Sequence, residues 1–280
     1  MPLISRENGL ATGFLQPTSP RKTTGTKSAE LGTLHLMTEQ KLMERQKRYD
    51  VVGDVHGCLD ALQRLMAALG YDEAARHPQG RTLVFVGDLI NRGPDSAGVL
   101  RLVSRLAREG RARMALGNHD DTLLRCLRGA PMDLSRRGLD ATLAQIKAAP
   151  DSRTLRAETL TLLENARLYL SLDSGKLIVV HAGIEEAMIG KPIDAETRRF
   201  LLNGDATGKS PEGKTLRRDW AASYQGSAFV VYGHTPQERA VVRGRTVNVD
   251  TGAYRGGLLS AFRWPECTLV SVPSGFEAKE

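Results

Sequence analysis

Apolar runs of strand length recur along the chain at Tyr49–Val52, Leu83–Val86, Ala112–Leu116, Leu177–Val180, Phe229–Tyr232 and Thr246–Val249. A late pair follows at Leu258–Arg263 and Thr268–Val272. Runs this short, bounded by glycine and polar residues, predict buried strands. Between the early runs, apolar residues return at three- and four-residue spacing. Leu59, Leu62, Leu65, Met66 and Leu69 form one such set, and Val99, Leu100, Leu102, Val103 and Leu106 another. That period predicts helices with one apolar face. Strand–helix–strand–helix followed by closely spaced strands predicts a layered α/β (α+β) domain over residues 49–280. Residues 131–170 carry two helical patterns, near Leu139–Lys147 and Leu155–Ala166, with no strand between them. This insertion is expected to form a small helical cap over a site, with plain scaffold as the alternative.

The first 48 residues lack this order. They are rich in Ser, Thr, Gly and Pro, and a disordered or extended tail is expected there, with Met37–Arg48 able to form a short polar helix. Gly9–Leu15 is too short and broken for a secretory h-region. An organelle address is the less favoured alternative to an over-extended gene start, since Met37 and Met43 lie just before the first strand. The tail also changes the meaning of the charge. The chain of 280 residues has 39 Lys+Arg against 32 Asp+Glu, a net +7. Residues 1–48 hold eight basic and four acidic residues, +4, which leaves only +3 for the rest. A basic nucleic-acid scaffold is therefore weakly supported. No apolar run approaches the roughly 18 residues of a membrane span, so a membrane protein is not expected. Cys58, Cys126 and Cys267 are odd in number and widely spaced, giving neither a disulfide framework nor a CxxC zinc site; a cytoplasmic setting is expected.

The chemistry gathers where strands end. Each run passes into a short polar motif: Gly53-Asp54-Val55-His56-Gly57, Gly87-Asp88-Leu89-Ile90-Asn91-Arg92-Gly93, Gly117-Asn118-His119-Asp120, His181-Ala182-Gly183 and Gly233-His234-Thr235-Pro236. Ligands of α/β layers bind at the carboxyl ends of strands, so the five motifs are expected to converge on one cleft. Carboxylate, imidazole and amide oxygen suit Mn²⁺, Fe or Zn²⁺ better than a thiolate zinc site. Any one motif alone reads as a turn; five in this order do not.

This series resembles the calcineurin-type metallophosphoesterases, in their phosphoprotein-phosphatase branch, over essentially all of residues 49–280. A closer likeness is to the phosphatase module of bacterial polynucleotide kinase-phosphatase. It extends through Asp219-Trp220-Ala221-Ala222 and Asn248-Val249-Asp250-Thr251-Gly252. The resemblance implies a β-sandwich flanked by helices and a site for two divalent ions, Mn²⁺ foremost, with Fe, Zn or Ni as alternatives. It places Asp54, His56 and Asp88 on one ion and Asp88, Asn118, His181 and His234 on the other, with Asp88 bridging. It implies hydrolysis of phosphate mono- or diesters by a metal-bridging hydroxide, in the manner of serine/threonine phosphatases or polynucleotide 2′,3′-phosphatases. Arg92 would grip phosphoryl oxygens, His119 would protonate the leaving group, and Asp250 would have a functional part or orient the His234 loop. In the family an aspartate normally pairs with that histidine, where this chain has Asn91. Asparagine can orient the ring but cannot stabilise imidazolium as a charge, which favours activated diesters or anhydrides over plain monoesters.

The expected partner is a phosphorylated substrate: a phosphoprotein, a nucleotide or a nucleic-acid end. A symmetrical diadenosine tetraphosphate hydrolase is the alternative enzyme, weakened by the Gly-His-Thr-Pro motif. A non-catalytic binding module is the alternative of another class, and the intact ligand set opposes it. Gly204-Asp205-Ala206-Thr207-Gly208-Lys209-Ser210 imitates a P-loop but is one residue short between its glycines and follows no buried strand, so no fused kinase is expected. Arg217 or Arg218 is weighed as a second phosphate clamp, with a solvated face preferred, and Trp220 and Tyr224 as base-stacking groups, with packing preferred.

Overall fold

Tyr49–Val52 (β1) is buried at all four positions because both of its faces are covered. A strand covered on both sides reads as an unbroken apolar run. The computed structural model describes residues 47–135, 138–211, 213 and 215–277. The expected tail and its short polar helix therefore lie outside the described residues, apart from Lys47 and Arg48.

β1 pairs in parallel with Thr82–Phe85 (β2), which pairs in parallel with Ala112–Met114 (β3). On the other side it pairs antiparallel with Leu258–Trp264 (β11), itself hairpinned to Thr268–Pro273 (β12). The sheet order is β12-β11-β1-β2-β3. The connections that parallel pairing requires are Leu59–Leu69 (α1) and Ser96–Arg108 (α2). Asp95 caps α2 by accepting the Gly98 N–H at 2.7 Å. Asn118–Leu127 (α3), Leu139–Ala148 (α4) and Ser152–Asn165 (α5) complete the helical layer, with α5 packed on α2 and α3. Leu155, Leu162 and Leu163 of the 131–170 segment are buried in the same core as Val52, Phe85 and Leu100.

The second sheet has the order β4-β5-β8-β10-β9. Its strands are Tyr169–Leu172 (β4), Leu177–Val180 (β5), Phe229–Tyr232 (β8), Val242–Arg243 (β9) and Thr246–Asn248 (β10). The two-residue period sorts the side chains. Val51, Val84 and Val86 meet Val179, Val231 and Val247 between the sheets, while Val52, Leu83 and Phe85 face the helices. Ile178, Val180, Val230 and Tyr232 leave the far face of the second sheet and pack on Phe200, Leu201 and Trp220; the first two of these lie on Ala195–Asn203 (α6). This is a mixed α/β fold of stacked sheets flanked by helices.

Three boundaries differ from the sequence reading. β3 stops at Met114: Ala115 still donates to the Phe85 carbonyl at 2.9 Å but bridges Arg167, whose carbonyl accepts the Leu116 N–H at 2.7 Å. β4 is a strand where the sequence reading named none; it lies at a sheet edge with only Leu172 buried, which explains the weak apolar signal. The P-loop-like stretch is one arm of a hairpin, Ala206–Lys209 (β6) against Thr215–Arg217 (β7), with a bulge at Ala206/Gly208. Among the described residues no helix is long and apolar enough to cross a membrane.

Candidate active site and metal centre

β1, β2 and β3 run parallel in a register that aligns Val52, Phe85 and Met114, so the loops after them leave the sheet at one level. β5, β8 and β10 do the same in the opposing sheet. The five polar motifs therefore meet at one end of the sandwich. The turns are tight and strained. His56, Asp88, Asn91, Arg92 and His234 all have positive φ, between 45° and 73°. Non-glycine residues rarely adopt that region, and they cluster in it where a site imposes the geometry. A Cβ on Gly117 would collide with the Asp88 backbone, and one on Gly233 with the Asp54 carboxylate. The glycines of these motifs are there to let the two chains touch.

The donor atoms converge. Asp88 Oδ2 lies 3.6 Å from His56 Nε2 and 3.5 Å from His181 Nε2, between the two histidines. Asn118 Oδ1 is 3.0 Å from His181 Nε2 and 3.0 Å from His234 Nδ1, which are themselves 3.0 Å apart. His56 donates its Nδ1 proton to the Ile90 carbonyl at 2.8 Å, which leaves Nε2 as the lone-pair nitrogen facing Asp88. The other oxygen of Asp88 accepts the His119 N–H at 2.9 Å. Two groups of imidazole and carboxylate atoms thus come within metal-binding reach of one another: His56, Asp88 and His119, and Asp88, His181 and His234. The second group holds three of the four residues expected on one ion, Asp88, His181 and His234. The first has His119 where the resemblance put Asp54. Both Asp54 oxygens lie 3.2 Å from the His234 backbone nitrogen, whose N–H they accept, and the residue is buried.

The electrostatics fit a cation. Asp54 has its carboxyl held well above the ordinary value by burial first, then by Asp250 and Asp88. Burial likewise pushes Asp250 up to about 6, with Asp88 adding to it and the Gly252 N–H, Arg92 and Arg255 opposing. His56 is held well below its ordinary value by burial and then by Arg92. Buried carboxylates that repel one another, beside imidazoles kept neutral, are the donor set that divalent ions satisfy.

Arg92 is exposed, with Nη2 3.3 Å from His119 Nε2. Asn91 is buried, and its amide Nδ2 lies 2.8 Å from His119 Nδ1. Asp250 is buried and accepts the Gly252 N–H at 3.1 Å, while its carbonyl accepts the Gln237 N–H at 3.0 Å. Asn248 donates to the Thr235 carbonyl at 2.8 Å, so the 248–252 loop braces the His234 loop. Every site residue named from the sequence is thus found at this end of the molecule.

Four contributors went unassigned or were undervalued. Asp120 accepts the Leu89 N–H at 3.1 Å and the Gly117 N–H at 3.2 Å, joining two motif loops; burial and Asp88 raise it to about 8. Its place in Gly-Asn-His-Asp was the available signal. Thr142, from α4, reaches Asn91 Oδ1 at 2.7 Å, and no local pattern marks it. Tyr254 stands edge-on to His56 with ring centroids 4.7 Å apart. Arg217 was read as part of a solvated face, yet its Nη2 lies 2.9 Å from His234 Nε2, because β7 ends beside that loop. Trp220 packs against Tyr232 and donates to the Ala182 carbonyl at 3.1 Å.

The family model for calcineurin-like phosphoesterases matches residues 47–255. A bis(5′-nucleosyl)-tetraphosphatase PrpE [asymmetrical] of Bacillus velezensis is 44% identical over 232 residues, 81% of this chain and 92% of that protein. One from Halalkalibacterium halodurans, with the same name, is 44% identical over 233 residues, 81% and 94% of the two chains. A solved structure proposed to be a diadenosine tetraphosphatase superposes with TM-score 0.61 at 26% identity, covering 82% of this chain and 94% of its own. A protein serine/threonine phosphatase from Saccharomyces cerevisiae superposes with TM-score 0.54 at 16% identity over 90% of each chain, a likeness of fold alone. These relatives displace the finer likeness to the polynucleotide kinase-phosphatase module.

Proposed function

The chain belongs to the calcineurin-like phosphoesterases, hydrolases of phosphoester bonds, and from that premise we propose that it cleaves dinucleoside tetraphosphates asymmetrically, into a nucleoside triphosphate and a nucleoside monophosphate. The observation that carries this reading is Asn91, neutral and 2.8 Å from His119, in a site otherwise equipped for phosphoryl transfer. A departing nucleotide phosphate is a far better leaving group than an alkoxide and needs little proton donation, so a neutral partner for the acid suffices. The 44% identity to tetraphosphatases supports the same reading.

Divalent ions at Asp54, His56, Asp88, Asn118, His181 and His234, of which Mn²⁺ suits the donors, would supply an activated water and Lewis-acid polarisation of the phosphoryl group. The chain's own groups do the rest. Arg92 presents a planar fork to the non-bridging oxygens of the scissile phosphate. Arg217, beside His234, offers a second cation on the opposite rim. The departing nucleotide can leave as its phosphate anion when the P–O bond breaks, so His119 need only direct its ring toward the bridging oxygen. Asp120 keeps the Leu89 and Gly117 turns in place while charge develops. Widely spaced, unpaired cysteines support a reducing, cytoplasmic setting for this substrate.

The test is product analysis with the Mn²⁺-loaded chain and diadenosine tetraphosphate. ATP and AMP in equal amounts are expected, and Asp88→Asn should lower kcat by more than about a hundredfold. Two ADP per turnover would establish symmetrical cleavage instead. Faster turnover of a phosphopeptide or a 2′,3′-cyclic nucleotide would overturn the substrate class.

A further inference from the structure

Two arginines share one tyrosine ring at the mouth of the site. The Arg92 guanidinium carbon lies 4.2 Å from the Tyr254 ring centroid, and that of Arg255 lies 5.1 Å from it. The ring packs edge-on against His56 at 76°, with centroids 4.7 Å apart. Arg255 is tied to it a second time, donating from Nε to Tyr254 Oη at 2.6 Å. The short helical turn Ala253–Arg255 that carries both residues is closed by Gly252 and Gly256, each with left-handed φ. Arg255 is exposed, and among the described residues it forms no ion pair. Both guanidiniums nevertheless pull on buried Asp250, so both fields reach the carboxylate centre.

A solvated rim arginine would need none of this. Free arginine side chains keep many rotamers, and here a ring, a hydroxyl and a closed turn restrict one that has no acid to meet. A guanidinium fixed in advance, with its terminal nitrogens unspent, is suited to a doubly anionic oxygen group. Arg92 serves the scissile phosphate. Arg255, held on the same ring, stands within the reach of a phosphoanhydride chain that begins at Arg92.

We propose that Arg255 binds a non-scissile phosphate of the substrate, so that Arg92, Tyr254 and Arg255 together select a polyphosphate chain over a single phosphoryl group. The proposal rests on the reading of the site as a dinucleoside polyphosphate hydrolase and names the residue that makes it one. A monoester reaches Arg92 alone and gains nothing from Arg255. A polyphosphate engages both, and the second charge-assisted contact adds to binding only for that class.

The experiment uses the full metal-loaded chain with Mn²⁺ kept in excess of all phosphates. It measures kcat/KM for diadenosine tetraphosphate and an aryl phosphate, and Ki for inorganic tripolyphosphate and orthophosphate against the aryl substrate. Arg255→Ala should lower the tetraphosphate-to-aryl ratio roughly tenfold or more, and raise the tripolyphosphate Ki by that factor relative to orthophosphate. Arg255→Lys should recover part of both ratios. Tyr254→Phe, which loses the hydroxyl but keeps the ring, should lose part of them. If the two ratios stay unchanged in Arg255→Ala, the arginine only supports the loop and the proposal falls. A wild-type chain that leaves diadenosine tetraphosphate intact sinks the substrate reading, while the ratio of the two Ki values still decides the fate of Arg255.

Discussion

Asn91 takes its character from two neighbours. Its amide nitrogen faces His119 Nδ1 at 2.8 Å, and its oxygen accepts from the Thr142 hydroxyl at 2.7 Å, which is also 3.1 Å from Ser96 Oγ. An amide nitrogen only donates, so Nδ1 accepts from Asn91, while Nε2 faces the Arg92 guanidinium at 3.3 Å. An aspartate at 91 would reverse this, taking a proton from Nδ1 and stabilising the imidazolium. Asn91→Asp should therefore flatten the dependence of rate on leaving-group pKa, raising turnover of an alkyl phosphate about tenfold relative to the tetraphosphate. Equal rates across a leaving-group series in both proteins would refute the argument. Thr142→Val should cost about 1–3 kcal/mol in denaturant unfolding by stranding a buried amide oxygen, with Thr142→Ser restoring most of it. The chemical types at 54, 56, 88, 91, 92, 118 and 119 could be read along the chain, because a β–loop junction announces itself locally. Thr142 could not, because its role exists only through a residue 51 positions away.

At the scale of elements, the helical segment 139–165 shows where period alone stops. Its two helices were legible from apolar spacing, to within a few residues at each end. What they pack against was not, since an amphipathic face says that something covers it without naming what does. α5 buries Leu155, fully inaccessible, in the core shared with α1 and α2. Leu155→Ala should cost about 2–5 kcal/mol, as truncations in a filled core do, measured by urea unfolding. A detachable lid would give a separate early transition with the main midpoint unmoved. The β6–β7 hairpin makes the complementary point. Its sequence imitates a phosphate loop, yet its exposed strands form only by pairing with each other, and through Arg217 they supply a side chain to the site.

The whole molecule stakes its stability on the carboxylates it buries. Asp120, raised to about 8, and Asp250, raised to about 6, bind protons in the folded chain that the unfolded chain has released above the ordinary value of 3.8. Across pH 4 to 8 these carboxylates therefore hold more protons in the folded state, and their contribution to stability falls as pH rises. Below the ordinary histidine value they are opposed by His56, which folding keeps neutral. A chelator-stripped sample should lose Tm steadily from the ordinary histidine value up to pH 8. Divalent loading should raise Tm at pH 8 by several degrees and reduce the slope, since a cation that binds only the folded state stabilises it. Asp120→Asn should flatten the stripped profile; a wild-type profile already flat would contradict the assignment. By itself the sequence determined the strand-helix alternation, the polar motifs at the strand ends and the family, because each is written in residues close together in the chain. Only the tertiary structure decided that Asp54 turns to the His234 N–H, that Arg217 and Arg255 reach the site, and that Thr142 holds Asn91. The contacts of Asp54, Arg217 and Thr142 join residues 17 to 180 positions apart, and their geometry is set by packing, which no local pattern encodes.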